Sequence, residues 1–370
     1  MRNIPLYKTH YPANLGQRLQ TVFDSGMTSE GPEAAAFQKE LQDWIGNPHT
    51  ALTSSGTIAM EIAGRLADIE PGDEVIASPV TCVAGLGWIL LAEAKPVWCD
   101  IDPHTCCIDS SKIKSLITNK TKAITFVDWA GIPAELDEIN SIAKQYGLKV
   151  IEDGAQSMGA LYKEQKIGTI CDYTMHSFQS IKILSTVDGG CLACKNQEDY
   201  DRAILLRWFG LARSSTKGKT QWVGDIIEPG YKAHMCDTNA AIGREQLKYV
   251  DNLISKHQAN ASILINELKG LSPNLEVLKV PDYIKPNYWV FTILLKDKQH
   301  RIDVSDKLSE VGIGNSISHV RNDKYSLFRL FQKKLPVVDN LEDRRLNIPC
   351  GWWLTNEDLE LIIDTLKKAI

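Results

Sequence analysis

Lys149-Val150-Ile151-Glu152-Asp153-Gly154-Ala155-Gln156 is a short apolar run that ends in two carboxylates and a small-residue turn. A run of this kind, with β-branched residues at its centre, reads as a strand buried on both faces. The same signature occurs upstream at Val75-Ile76-Ala77, Pro96-Val97-Trp98-Cys99 and Ala123-Ile124-Thr125-Phe126-Val127. Between these runs, Ile58-Ala59-Met60-Glu61-Ile62-Ala63 and Leu136-Asp137-Glu138-Ile139-Asn140-Ser141-Ile142-Ala143 carry helical periodicity. Alternation from about Thr50 to Cys194 predicts an α/β fold with a mainly parallel sheet. Ligands of such sheets sit beyond the carboxyl ends of the strands, and Asp153 falls at one of those ends.

Beyond Gly230 the pattern changes. Thr238-Asn239-Ala240-Ala241-Ile242-Gly243 leads into a long helix to about Leu268, followed by a strand-like Tyr288–Leu294 and a helix near Val304–Glu310. A turn follows at Gly312-Ile313-Gly314, and a closing helix from Asn356 to Ile370 starts at the cap signal Thr355-Asn356-Glu357-Asp358. We expect a large domain over residues 1–245, including an N-terminal segment, and a smaller C-terminal α+β domain over 246–370. Ser214-Ser215-Thr216-Lys217-Gly218-Lys219-Thr220 reads as a polar, mobile connection.

The 370 residues are 44% hydrophobic and 24% charged, which suits a large globular chain and leaves room for two domains. A net charge of -5 excludes nucleic acid as the expected partner, since that would want a basic face. No apolar run approaches the length of a membrane span. Met1–Lys8 offers no apolar core of signal-peptide length, so a cytoplasmic protein is expected. Nine scattered cysteines, an odd number, fit reduced thiols. Cys191-Leu192-Ala193-Cys194 has no second pair at zinc-ribbon distance and reads as packing, so no metal is expected.

Three segments carry chemistry. Ser54-Ser55-Gly56-Thr57 ends a strand and opens a helix; such an N-terminus binds phosphate readily, though Ser-Gly is also an ordinary cap. Asp153 could pair with a protonated ring nitrogen and Gln156 with a ring oxygen, or Asp153 could simply cap its turn. His176-Ser177-Phe178-Gln179-Ser180-Ile181-Lys182, followed by Asp188-Gly189-Gly190, sets a hydroxyl and an amine around one turn. A desolvated lysine amine is a nucleophile towards carbonyl carbon, and pyridoxal phosphate needs such a lysine together with an acidic partner for its ring.

Taken in chain order, Ser-Gly-Thr, Glu-Asp-x-Ala-Gln and Ser-Phe-x-x-x-Lys before Asp-Gly-Gly resemble the sugar aminotransferases of the DegT/DnrJ/EryC1/StrS family. Ser29-Glu30-Gly31-Pro32 with Phe37, and Gly72-Asp73-Glu74-Val75-Ile76, are similar to that family's opening segments. Gly230-Tyr231, with Ala240–Gly243 and Gln246-Leu247, resembles its dimer-contact segment, and Gly312-Ile313-Gly314 with His319 its C-terminal substrate loop. The resemblance covers nearly the whole chain and implies the aspartate aminotransferase-like architecture of pyridoxal-phosphate fold type I. It implies Lys182 as the internal aldimine and proton shuttle, with pyridoxal 5'-phosphate passing through its pyridoxamine form. Asp153 would face the pyridine nitrogen, Gln156 the ring oxygen, and Gly56, Thr57 and Ser177 the phosphate.

Three departures stand out. Cys82 occupies a position where the family often has an aromatic ring on the pyridine face, so either the thiol packs there or an aromatic such as Trp129 takes over the duty. Lys232 stands where an Asn usually reaches the neighbouring subunit's phosphate, a role an ammonium is expected to keep, and His234 where Arg is usual. On the substrate side Trp129, Arg207, His319 and Arg321 are candidates; Arg321 suits a diphosphate, whereas Arg207 reads equally well as an ion-pair partner. The Trp352-Trp353 pair reads as packing. The resemblance implies an amino group moving from L-glutamate, leaving 2-oxoglutarate, to C3 or C4 of a nucleotide-linked keto-deoxysugar, in a homodimer with shared active sites. Alternatives are a keto-sugar dehydratase, whose members generally carry His in place of Lys182, and a non-catalytic regulatory relative. Polysaccharide biosynthesis, such as that of an O-antigen, is expected by analogy.

Overall fold

The computed structural model describes residues 3–211, 225–271 and 273–370. The polar connection Ser214–Thr220 lies outside the described residues. Thirteen strands follow in chain order among those described. They are β1 (Thr50–Thr53), β2 (Glu74–Ala77), β3 (Lys95–Trp98), β4 (Thr121–Val127), β5 (Lys149–Asp153), β6 (Leu161–Tyr162) and β7 (Gln165–Lys166). The rest are β8 (Tyr173–Ser177), β9 (Gly190–Cys194), β10 (Leu275–Val277), β11 (Ile284–Lys285), β12 (Phe291–Leu295) and β13 (Arg345–Ile348).

The central sheet has the order β1-β9-β8-β5-β4-β2-β3. All its strands run parallel except β9, which is antiparallel to both its neighbours. Strands β1, β8 and β9 are buried almost throughout, as continuous apolar runs require of a sheet covered on both faces. Register then gathers the chemistry. Thr53 pairs with Gly190, Gly190 with Ser177, and Asp153 with Met175, so the ends of β1, β8 and β5 lie along one edge. The helix Gly56–Leu66 springs from that edge directly after β1.

A second core forms around β10-β12-β13, the long helix Val250–Leu268 and the helices Lys298–Glu310 and Asn356–Ala369. The last of these begins with a capping box, Thr355 with Asp358. The two cores are laced together: Ile4 packs in the second, and β11 joins β6 of the first part in a small sheet. Trp353 and Trp352 donate their indole N–H groups to Pro5 O and Lys8 O, so this pair fastens the N-terminal segment.

The strand expected from Tyr288 starts only at Phe291. Tyr288 adopts a left-handed φ of 50°, and Asn287 Oδ1 accepts the Trp289 N–H at 3.0 Å, which bends the chain before the ladder begins. The segment Ala240–Gly243 lies in the helix Asp237–Leu247 and packs within the chain. Gly243 meets the Phe37 ring so closely that a Cβ would sit 2.4 Å from it, and Asp237 caps the helix Pro32–Ile45 through the Gly31 and Ala34 amides. No described helix is long and apolar enough to cross a membrane.

Candidate active site

A cavity of about 220 Å³ opens at the gathered strand ends. Ser55, Gly56 and Thr57 line one side, Asp153, Gln156 and Ser177 the floor, and Cys82, Lys182, Asp188 and His319 the remainder. The phosphate-sized end follows from local folding. Ser55 Oγ caps the helix by accepting the Ile58 N–H at 3.2 Å, which leaves the Gly56 and Thr57 amides at a turn where no intrahelical acceptor exists. Gly56 is pressed against β8: a Cβ there would lie 2.8 Å from Met175 Sδ and 3.0 Å from Ser177 Cβ.

Asp153 is buried, and burial raises its pKa, opposed by the Ala155 N–H, Lys182 and Thr81. Its Oδ1 accepts from Ala155 N at 3.0 Å, while Oδ2 lies where a Cβ on Gly85 would stand 2.6 Å away. Gly85 thus makes room for the carboxylate, a requirement no local motif announces. Gln156 Oε1 accepts the Ala130 N–H at 2.7 Å, which turns the amide so that its NH₂ is the end left to donate. Behind Asp153, Glu152 and Asp128 are wholly buried. Glu152 Oε2 accepts from Thr174 Oγ1 at 2.7 Å and Asp128 Oδ2 from Ser157 Oγ at 2.6 Å. Glu152 Oε1 receives no N–H or O–H among the described residues, and the Glu152 side chain lies within hydrogen-bonding reach of Asp128 and of the Cys171 thiol. A proton between the two carboxyls would satisfy both. Burial pushes Glu152 up to about 7 and Asp128 well above its usual range.

Lys182 is partly screened from solvent along its stem, with its amine in the interior. Burial lowers its pKa to about 8, against the pull of Asp153 and Cys82. His319 is brought down to about 4 by burial and by the positive charges of Lys182 and Arg345. The site therefore combines a neutral imidazole, an amine near neutrality and a carboxylate.

Residues 12–367 match the DegT/DnrJ/EryC1/StrS aminotransferase family. The chain belongs to this family. A transaminase of Campylobacter jejuni, named for UDP-4-amino-4,6-dideoxy-N-acetyl-beta-L-altrosamine, is 29% identical over 92% of this chain and 90% of its own length. An uncharacterised protein of Methanocaldococcus jannaschii is 33% identical over the same shares of the two chains. The solved structure of AtS13 from Actinomadura melliaura superposes with a TM-score of 0.94 at 32% identity, covering 100% of this chain and 99% of that one.

Within this aminotransferase fold the structure brings Gly56, Thr57, Cys82, Asp153, Gln156, Ser177, Lys182 and His319 to one cavity. It does not bring the others there. Lys232 lines a neighbouring depression of about 340 Å³, which shares Asp188 with the main cavity. His234 borders the same depression, edge-on to Trp208. Trp129 stands one layer back: it is buried, donates to Thr292 Oγ1 at 3.1 Å and meets His319 edge-on. Arg207 is spent beneath β1, donating to Leu52 O at 2.8 Å and pairing with Glu30 at 2.6 Å. Arg321 is likewise committed. It forks onto both oxygens of Asp323 at 2.7 and 2.6 Å and also pairs with Asp339, so it has little left for a diphosphate. Sequence reasoning missed Gly85, the Glu152–Asp128 pair and Trp289; the last lies far along the chain from Lys182 and touches it only in the fold.

Proposed function

We propose that this aminotransferase moves an amino group from L-glutamate to a keto carbon, C3 or C4, of a nucleotide-linked deoxysugar. It would work with pyridoxal 5'-phosphate, as a homodimer. The observation that carries this reading is the convergence of Lys182, Asp153, Gln156 and the first turn of the helix Gly56–Leu66 on a single cavity. The set fits pyridoxal phosphate group by group. The Gly56 and Thr57 amides, the Thr57 hydroxyl and Ser177 would hold the phosphate, with the positive end of the helix favouring its charge. Asp153, delivered on a rigid strand, would keep a proton on the pyridine nitrogen. Gln156, its oxygen already taken by Ala130, would donate to the ring oxygen.

Once bound, the cofactor supplies an electron sink for the carbon that bears the migrating nitrogen. The chain supplies position and protons. Lys182 Nζ, with a pKa near 8, can both accept and return a proton near neutral pH. Burial, by raising Glu152 and Asp128, limits the negative charge beneath Asp153. Cys82 and His319 border the side left for substrate, and a neutral His319 offers the sugar both a donor and an acceptor. Support for a nucleotide sugar comes from the UDP-sugar for which the Campylobacter relative is named, and support for a polysaccharide pathway from a 28% identical spore coat polysaccharide biosynthesis protein of Bacillus subtilis. Lys232 borders Asp188 at the cavity edge, a placement that would let it serve the phosphate of a facing subunit.

The test is a panel of enzymatically made 3-keto and 4-keto sugars on TDP, UDP and GDP, each given isotopically labelled glutamate and read by mass spectrometry. Label should enter one sugar, and Lys182→Ala should lower the rate by at least about 10³-fold with an unchanged circular dichroism spectrum. No label in any arm, or an active Lys182→Ala enzyme, overturns the proposal.

A further inference from the structure

We propose that Trp289 is a positioning residue for Lys182: its indole face holds the side-chain amine, and its N–H fixes the loop that carries it. Lys182 Nζ lies 4.0 Å from the centroid of the Trp289 ring. The same indole donates from Nε1 to Ile181 O at 2.8 Å, one residue before the lysine. One side chain thus grips both the tip of the catalytic residue and the backbone of the residue before it.

The indole is itself held firmly. It is buried, and Tyr7 stacks on it at 4.9 Å with an interplanar angle of 23°. Its backbone N–H is taken by Asn287 Oδ1, while Asn287 Nδ2 donates to Met158 O at 3.0 Å. Asn287 in turn closes on Gly131, where a Cβ would stand 1.8 Å from Oδ1. Thr9 donates to Ser180 O, so the N-terminal segment holds the next carbonyl of the same stretch before the lysine.

The chemistry explains why an aromatic face suits this place. A catalytic amine must be released and then return to the same carbon, so it needs a waiting position. A hydrogen-bonded carboxylate would hold it as ammonium and lift its pKa out of the useful range. An indole quadrupole attracts the ammonium more weakly and leaves the neutral amine free to depart. Burial opposes the charge at the same atom, and Asp153 and Cys82 favour it from farther away. Trp289 then sets the balance between holding and releasing. This inference deepens the reading of Lys182 as the catalytic amine.

Trace acylation with acetic anhydride, read by mass spectrometry at the Lys182 peptide from pH 6 to 11, measures the midpoint of the amine directly. It is run on the full-length chain, both unloaded and loaded with pyridoxamine 5'-phosphate. Trp289→Leu removes face and N–H; Trp289→Phe removes the N–H but keeps an aromatic face. A desolvated cation–π contact corresponds to a roughly two- to thirty-fold change in the ionisation equilibrium. The midpoint in Trp289→Leu should therefore fall by about 0.3 to 1.5 pH units, and in Trp289→Phe by clearly less. An unmoved or raised midpoint in Trp289→Leu, or equal shifts in the two variants, overturns the proposal. Should Trp289→Leu fail to fold, Tyr7→Leu, which frees the indole, must lower the midpoint in the same direction; no change there overturns it equally. A chain that takes up no pyridoxamine phosphate would defeat the transaminase reading, while the unloaded midpoints still decide the role of Trp289.

Discussion

Arg321 and Lys182 are both cations drawn into the interior, and they are treated in opposite ways. Arg321 is met by a bidentate Asp323, by Asp339 and, at 3.8 Å, by Glu342. Its carboxylate partners raise its pKa and hold its charge in place. Lys182 is given an aromatic face and a carboxylate that acts through its field, and none of its hydrogen-bonding capacity is taken by a carboxylate among the described residues. Its charge is left unstable. The contrast separates a buried ion that builds structure from one that does chemistry: the first has its partners complete, and the second keeps bonding capacity in reserve.

The largest effect expected from this contrast is on stability. Arg321→Met would strand the Asp323 carboxylate, which is itself buried. Breaking a buried pair by removing one partner costs about 3–5 kcal/mol. Urea unfolding of the variant should show a loss of that order, with the kcat of the folded enzyme changed less than about threefold, since the guanidinium is already taken by Asp323 and Asp339. A large fall in kcat at unchanged stability would return Arg321 to the substrate site and erase the distinction drawn here.

Asp153→Asn should do the reverse. It removes the carboxylate placed for the ring nitrogen, and the turnover should fall by about 10²-fold, the scale of losing one preorganised electrostatic partner. Its pKa is raised by burial, so the folded chain gains little from its charge. Thermal unfolding of the cofactor-free variant should therefore occur at or above the wild-type temperature. Loss of activity accompanied by a comparable loss of stability would make Asp153 an ordinary structural cap.

Much of the site was legible because its residues sit in local signals. The run Val150-Ile151 ending at Asp153, the cap before Ile58 and the turn between Ser177 and Lys182 each announce an element and its functional end together. Parallel pairing then forces those ends to one edge. What stayed hidden depends on contacts between distant segments. Gly85 shows its purpose only against Asp153, Trp289 only against Lys182, and Ile4 only within the second core. In sequence Arg321 reads as available for a diphosphate, yet Asp323, only two residues away, takes its guanidinium. Arg207 stays open between substrate and ion pair, and Glu30, far upstream in the chain, supplies the ion pair. A partner in sequence or space decides availability, and residue type does not.

The subtlest difference lies beneath the site, at the buried carboxyls of Glu152 and Asp128. Burial raises Glu152 to about 7 in the folded chain, so its proton persists towards that pH, whereas an unfolded Glu loses it near its ordinary 4.5. Between those values the native state binds more protons than the unfolded state, so stability falls as pH rises, by at most about 1.4 kcal/mol per pH unit for one proton. Glu152→Gln supplies a permanent N–H donor to Asp128 and removes the need for that proton. Urea unfolding of both proteins from pH 5 to 8 should then show the variant gaining on the wild type as pH rises to about 7, with a constant difference above it. Parallel curves across the range would mean that no proton is shared. In that case both carboxylates beneath Asp153 would carry charge, and the floor of the site would hold three negative groups together, a burden that the single nearby amine of Lys182 could not balance.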